Sequence, residues 1–346
     1  MSSENTSPNP YASPENGSDA AALALPDRST GLMLFGIFQV LLGCLCGLMG
    51  LMMAVVAVLG PMPGAPQGAA ADARSVIPAA VIYLVLGVLF VCLGVGSIRA
   101  RRWAWTLTVV LSWMWLVMGV ISLLGFLLFA GSMMTSAMSQ QANVPPEVLL
   151  VIRVMTGVIL ACIYILLPGV FLIFYQRESV RGTCLRRDPQ PRWTDRCSMP
   201  VLALSLLMAF SAVSMSWTLV YGPVMPLCGS YVTGGAGAAV ILLMTLAMAY
   251  FAWGAYRLQM AAWWGMLLFC ILGSANMVVT FSRTGLMEMY EKAQIPEASL
   301  QMIKKSGMIE TMSPWLPWMG IAGGLAWLGY LLYVRRYFLR NAQTVD

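Results

Sequence analysis

Few residues of this chain have the types and spacing that catalysis or metal binding requires. The sequence of 346 residues contains no histidine, which excludes imidazole as a base, an acid or a metal ligand. Cys184 and Cys197 lie 13 residues apart with no second thiol pair, which supports a zinc site poorly. Glu288 and Glu291 share a helix face, but Lys292 beside them indicates a solvated surface. We therefore predict no catalytic residue, no cofactor and no metal, and a protein that is not an enzyme.

Two polar side chains within the apolar stretches form the candidate polar site. Arg153 follows Glu147 by six residues near the predicted outer end of an apolar stretch, and an ionisable residue inside a membrane is a functional candidate by default. Its long side chain can also reach the lipid head groups, which is the role we expect. Gln39 stands in the first apolar stretch, where an amide more often bonds to a neighbouring helix than to a ligand.

The apolar composition explains this shortage of reactive groups. Hydrophobic residues make up 59% of the chain and charged residues only 10%, whereas a soluble protein carries about 25% charged residues. Eight stretches reach the roughly 20 apolar residues that a membrane-crossing helix needs, and their continuous pattern predicts helices rather than a barrel. We expect an all-α polytopic membrane protein with spans at 32–59, 76–98, 103–131, 153–175, 199–221, 236–256, 259–282 and 314–334.

The distribution of Lys and Arg predicts the orientation. Eight spans place both termini on one side of the membrane, and 14 of the 20 Lys and Arg residues fall on that side. Because cytoplasmic loops carry the excess of positive charge, both termini are predicted to be cytoplasmic. Residues 1–30 are polar and rich in Ser, Pro and Asn, which indicates a disordered tail and not a signal peptide.

One motif of this tail carries a family resemblance. The run Asn9-Pro10-Tyr11-Ala12-Ser13-Pro14 resembles the short N-terminal tails of many uncharacterised bacterial multi-pass membrane proteins. The resemblance covers only this small part of the chain and implies no activity. It favours a location in the bacterial inner membrane.

The chain is predicted to contain two copies of a four-helix unit. Three pairs of segments match at a constant offset of 158 residues, and the copies have the same orientation because each holds an even number of spans. Two tight hairpins, Arg99–Arg102 and Arg257–Met260, are among the matching features. The pairs are Gly96-Ser97-Ile98-Arg99 with Gly254-Ala255-Tyr256-Arg257, Ala104-Trp105 with Ala262-Trp263, and Tyr175-Gln176-Arg177 with Tyr333-Val334-Arg335. The predicted divisions are a tail (1–30), a first repeat (31–175), a linker (176–198), a second repeat (199–340) and a C-terminal tail (341–346).

Aromatic and basic residues near the hairpins and the linker suggest contact with the membrane surface. Trp103, Trp105, Trp263 and Trp264 follow the hairpins, and we expect them in an interfacial aromatic belt. Four linker arginines are candidates for contact with anionic lipid head groups, each worth about 1 kcal/mol near the surface. The alternative is an ordinary positively charged cytoplasmic loop. The four are Arg181, Arg186, Arg187 and Arg192.

Glycines at helical spacing are the candidate packing residues. Helices in lipid associate through close backbone contact between small residues. We expect packing within the chain, with a homo-oligomer seam along the first span as the alternative. The glycines are Gly36, Gly43, Gly47 and Gly50 in the first span, Gly87 and Gly94 in the second, and Gly320 and Gly324 in the eighth.

These features favour a non-enzymatic membrane protein. Its predicted role is a structural or interaction module or a subunit of a larger assembly, in contact with the lipid bilayer and with a protein partner or further copies of itself, and not with nucleic acid. The outer loop 283–313, with short amphipathic helices and a Glu288–Lys292 pair, would form an interfacial lid or a partner platform. The alternative function is a channel or permease for a neutral or lipid-like substrate, with its pathway between the two repeats.

Overall fold

The computed structural model describes residues 25–59, 73–138, 145–293, 300–301, 303–304 and 307–342. Within these residues, eight helices are long and apolar enough to cross a membrane, which confirms the predicted all-α polytopic class. A helix satisfies its backbone hydrogen bonds internally, as a lipid environment requires. The tail motif at 9–14 and residues 343–346 lie outside the described residues.

We number these helices as spans 1 to 8. Spans 1 to 3 are Ser29–Leu59, Ala73–Ile98 and Arg102–Met138. Span 4 consists of Pro146–Ala161, a π-helical turn at Cys162–Leu166, and Leu167–Tyr175. Spans 5 to 7 are Met199–Tyr221, Gly234–Tyr256 and Met260–Arg283. Span 8 is Leu316–Ala342, preceded by the short helices Met308–Met312 and Ser313–Trp315.

The two predicted hairpins have the same backbone geometry. In the first, the N–H of Arg101 donates to the carbonyl of Gly96 over 2.9 Å, and in the second the N–H of Gln259 donates to that of Gly254 over 2.9 Å. Ala100 and Leu258 are both left-handed, with φ of 49° and 57°. A left-handed residue with this bond ends a helix by satisfying its last carbonyls. The two hairpins therefore turn the chain by the same device.

Further short helices and strands lie between the spans. The linker contains the helix Glu178–Arg187 and a 3₁₀ turn at Trp193–Asp195. The strands β1 (Met225–Leu227) and β2 (Ser230–Val232) form an antiparallel hairpin, in the register Met225↔Val232. The helix Leu286–Lys292 follows span 7.

The β-hairpin was not predicted from the sequence. Its turn residues Cys228 and Gly229 both have positive φ, 49° and 89°, as tight two-residue hairpin turns require. Cysteine is not a residue that marks such a turn in sequence.

Contacts between residues divide the chain into two compact units. Unit 1 comprises Met1–Trp113 and Gly169–Met199, and so holds spans 1 and 2, the first part of span 3, the end of span 4 and the linker. Unit 2 comprises Met114–Pro168 and Pro200–Asp346. This grouping by contact cuts spans 3 and 4 and differs from the predicted boundaries. The division into two repeats is a statement about duplicated sequence and stays a prediction.

Candidate functional site

The linker folds into a defined structure, which we call the linker cap (residues 176–198). Its helix has an acidic residue, Glu178, in the first turn and two arginines, Arg186 and Arg187, in the last. This distribution of charge stabilises a helix through its dipole. One face of the helix is buried, with Val180 and Cys184 almost inaccessible to solvent. The cap is therefore a packed part of unit 1.

A buried carboxylate, Asp188, is the centre of the cap. Its side chain is only 3% exposed. Arg192 donates to both carboxylate oxygens, over 2.7 Å from Nη2 and 3.1 Å from Nε, and such a two-bond pair is a strong form of ion pair. The Nη1 atom of Arg101 lies 3.6 Å away, and the backbone N–H of Arg102 donates over 3.4 Å. Hydrogen bonds from Arg192 are the main reason that the pKa of Asp188 lies below its usual value of 3.8.

A second carboxylate, Asp195, ties the cap to the hairpin between spans 2 and 3. It accepts a hydrogen bond of 2.7 Å from the backbone N–H of Arg192, and it lies 3.5 Å from Nε of Arg102. Arg102 also donates from Nη1 to the carbonyl of Pro189 over 3.4 Å. Two carboxylates and three arginines thus hold the cap on this hairpin.

The four candidate lipid-contact arginines have different surroundings. Arg192 is engaged by Asp188, Arg187 lies 3.6 Å from Asp27, and Arg181 lies over the ring of Trp105 at 5.9 Å. Arg186 is exposed, and the described residues show no ion pair or ring contact for it. The structure therefore does not gather the four into a single set of equivalent groups.

The two linker thiols are poorly suited to reaction or metal binding. Burial raises the pKa of Cys184 to about 12, and nearby Asp188 acts in the same direction. Burial likewise raises the pKa of Cys197 to about 12. Both thiols are therefore protonated at neutral pH, whereas the thiolate is the reactive form. In the described part of the chain, no group of three or more Cys, Asp or Glu residues could hold a metal ion.

A hydrogen-bonded group below the cap was not anticipated from the sequence. Tyr175 and Ser97 share a hydrogen bond of 2.5 Å between their hydroxyl groups, and Ser97 donates to the carbonyl of Leu32 over 3.2 Å. The indole N–H of Trp105 donates to the carbonyl of Tyr175 over 2.7 Å. These bonds join spans 1 to 4 within unit 1.

The expected aromatic belt is wrong for Trp263. Its side chain is 1% exposed, and its indole N–H donates to the carbonyl of Leu331 over 2.9 Å. It packs inside unit 2 because an indole can bury its ring when its N–H finds an acceptor. Trp264, next to it, is 53% exposed.

The candidate polar residue Gln39 lies between spans 1 and 3. It is 1% exposed, and its Nε2 donates to the hydroxyl of Thr108 over 3.3 Å. Its Oε1 has no hydrogen-bond partner among the described residues. The amide nitrogen of Gln39 therefore bonds to a neighbouring helix, whereas the amide oxygen does not take part in this contact.

The other candidate polar residue, Arg153, lies in the N-terminal segment of span 4, Pro146–Ala161. It donates from Nη2 to the carbonyl of Leu127 over 3.2 Å. Arg153 and Tyr175 are 22 residues apart, which is about 33 Å at the rise of an α-helix and matches the roughly 30 Å thickness of the hydrocarbon. Arg153 belongs to unit 2 and Gln39 to unit 1.

The glycines of spans 1 and 2 face each other inside unit 1. At three positions a Cβ atom would come within 3 Å of a carbonyl on span 2, so only glycine permits this approach. The pairs are Gly36 with Gly94, Gly43 with Gly87, and Gly50 with Ala80. A homo-oligomer seam along these three positions would require this packing to open. Gly47 differs, because nothing lies within 4 Å of the place where its Cβ would be.

The glycines of span 8 pack inside unit 2. A Cβ at Gly320 would lie 3.1 Å from Met277, and one at Gly324 would overlap the side chain of Ser274. Span 7 therefore covers both positions.

The described part of the outer loop holds ion pairs on an exposed surface. Lys292 pairs with Glu288 over 2.7 Å, which confirms the predicted pair, and Lys304 pairs with Glu291 over 2.7 Å. Two polar residues of span 7, the half-buried Asn276 and the buried Thr280, hold the β-hairpin. Asn276 accepts from the N–H of Cys228 over 2.7 Å, and Thr280 accepts from that of Gly229 over 3.1 Å.

The fold and these contacts define a polytopic helical membrane protein whose polar groups mainly join its own helices. Comparisons with protein families, with curated proteins and with solved structures find no match for this chain.

Proposed function

We propose that this chain is a non-enzymatic structural or interaction module, or a subunit of a larger assembly, in the bacterial inner membrane with both termini in the cytoplasm. The observation that carries the proposal is the linker cap. Asp188 forms ion pairs with Arg101 and Arg192, and Asp195 forms one with Arg102, so two of these three positive charges are neutralised. The cap is thereby a fixed surface rather than a flexible tether.

Other arginines on this surface are available to a partner or to lipid head groups. Arg177, Arg186 and Arg196 are exposed, and Trp193 is 45% exposed beside them in the sequence. Arginine and tryptophan are enriched in protein interfaces. Anionic head groups at the cytoplasmic surface attract the same charges.

Purification from the native membrane after crosslinking tests the module. The variant Arg177→Gln, Arg186→Gln, Arg196→Gln should lose a stoichiometric partner that wild type retains. The control variant loses three positive charges in the outer loop and should retain the partner; its substitutions are Arg283→Gln, Lys292→Gln and Lys304→Gln. Absence of any stoichiometric partner of the wild type, protein or anionic phospholipid, would overturn the proposal.

A second candidate function is a channel or permease for a neutral or lipid-like substrate. It is supported by the equal geometry of the two hairpins at an offset of 158 residues, which favours the parallel duplication found in some transporters. Proteoliposomes with a fluorescent phospholipid test a lipid-like substrate. An external reductant bleaches only the fluorescent phospholipid in the outer leaflet, so a larger bleached fraction in proteoliposomes than in protein-free liposomes supports this function. Equal bleached fractions in the two preparations exclude phospholipid as the substrate.

A further inference from the structure

Span 4 contains a local break in its α-helical geometry. In the π-helical turn Cys162–Leu166, the N–H of Leu167 donates to the carbonyl of Cys162, five residues earlier. Such a turn accommodates one extra residue in an α-helix and occurs frequently at functional positions. Pro168 follows the turn directly.

Pro168 weakens the helix further at this point. It has no N–H, so it cannot bond to the carbonyl of Tyr164, four residues earlier, as a regular helix requires. Gly119 of span 3 faces that carbonyl so closely that a Cβ at position 119 would overlap it. Gly169, on the other side of Pro168, has open space where a Cβ would be. A widened turn, a proline and a glycine therefore coincide within eight residues of one span.

Among the described residues, a π-helical turn occurs in span 4 and is not a general property of the predicted repeat. At the offset of 158 residues, Ala326 corresponds to Pro168. The helix Leu316–Ala342 around Ala326 is a continuous α-helix. A static packing requirement common to both copies does not account for this difference.

We propose that residues 162–168 form a hinge at which span 4 bends. The segment Leu167–Tyr175 is fixed at its end by the hydrogen bonds of Tyr175 with Ser97 and Trp105. Bending at the hinge therefore changes the direction of Pro146–Ala161, the segment that carries Arg153. Kinks in helices arise at prolines and π-turns because the backbone bonds that resist bending are missing there.

Distances between two nitroxide labels on span 4 test the hinge in the full chain in nanodiscs. Labels at Val151 and Ile173, which are 60% and 67% exposed, are attached through a genetically encoded ketone residue so that native cysteines stay in place. The control pair, Leu34 and Val56 in span 1, is exposed and has the same separation of 22 residues. The distance distribution across the hinge should be about twice as wide as that of the control.

Two variants separate a hinge from general looseness of span 4. Pro168→Ala restores the missing N–H and inserts the residue of the second copy, and deletion of Ile163 removes the extra residue of the π-turn. Both should narrow the distribution to the width of the control pair. A wild-type distribution as narrow as the control overturns the hinge. An equally wide distribution in wild type and in folded Pro168→Ala protein also overturns it.

Discussion

At the scale of single residues, the stabilisation that an ion pair gives to the linker cap depends on how deeply its carboxylate is buried. Asp188 and Asp27 both meet an arginine, but Asp188 is 3% exposed and Asp27 is 50% exposed. Solvent screens an exposed pair, which is worth at most about 1 kcal/mol, whereas removal of one partner from a buried pair is costly. The two residues therefore form a matched comparison within one unit.

Asp188→Asn should lower the free energy of unfolding by about 1–3 kcal/mol, because Arg192 and Arg101 lose their shared counter-charge. This range is below that of a fully buried pair because Arg192 is 34% exposed. Asp27→Asn should cost less than about 1 kcal/mol. Thermal unfolding of both variants in one detergent measures the difference, and equal midpoints would show that the network is not stabilising.

The pH dependence follows from the lowered pKa of Asp188, which reflects its hydrogen bonds from Arg192. The folded state favours the ionised carboxyl, so this stabilisation is present above the usual pKa of 3.8 and is lost as the pH falls through the lower folded value. Wild type should therefore lose more stability than Asp188→Asn on acidification below about pH 4. Parallel acid-unfolding curves of the two proteins would contradict this.

At the scale of elements, close approach of backbones joins neighbouring spans. Gly43 and Gly47 lie one helical turn apart in span 1, but only Gly43 has its Cβ position blocked, by the Gly87 carbonyl at 2.8 Å. Spacing along the helix could not distinguish the two, because it indicates a shared stripe and not which neighbour fills it.

Gly43→Ala should destabilise unit 1 by about 1–3 kcal/mol through overpacking. Gly47→Ala should be neutral or slightly stabilising, because it gains about 1 kcal/mol of helix propensity without a clash. Thermal unfolding of the two single variants measures this. Equal losses would mean that an unseen neighbour, such as a second copy of the chain, covers Gly47.

Span 3 offers a second glycine pair of the same design. Gly119→Ala should cost about 1–3 kcal/mol, because the new Cβ meets the carbonyl of Tyr164 in the π-turn. Gly125→Ala, on the same helix, has nothing within 4 Å of its Cβ and serves as the control. Thermal unfolding of both variants in detergent measures the difference. A Gly119→Ala protein as stable as wild type would show that span 4 moves aside without a loss of stability.

At the scale of the whole molecule, a cysteine in a loop between two spans offers a test of the predicted orientation. Cys228 is exposed in the β-hairpin between spans 5 and 6, a loop predicted to face away from the cytoplasm. Cys184 is 1% exposed and has its pKa raised to about 12 by burial. The two thiols therefore differ in access and in reactivity.

A charged maleimide added to intact spheroplasts should label wild type at Cys228, and Cys228→Ser should abolish the signal. Cys184 should stay unlabelled after lysis at neutral pH and react only after denaturation, because its thiolate is scarce. Mass spectrometry of the labelled chain identifies the site. Labelling of Cys228 only after lysis would reverse the predicted orientation.

The sequence by itself determined the class of fold, the eight spans and the two hairpins. These features depend on local hydropathy and on the short polar gaps between apolar stretches, which each segment carries within about 20 residues. It also indicated the Glu288–Lys292 pair, because helical spacing alone brings those side chains together.

Only the tertiary structure decided that Asp188 is buried, that Trp263 lies inside unit 2 and that Gly43 but not Gly47 is covered. Each of these depends on residues distant in the chain: Arg101 for Asp188, Leu331 for Trp263 and Gly87 for Gly43. In lipid, burying an apolar side chain between two helices gains little free energy, because the lipid around it is apolar too. Close packing and hydrogen bonds between spans therefore decide which helix faces meet. Such complementarity exists only when both partners are in place, and a single stretch of sequence does not contain it.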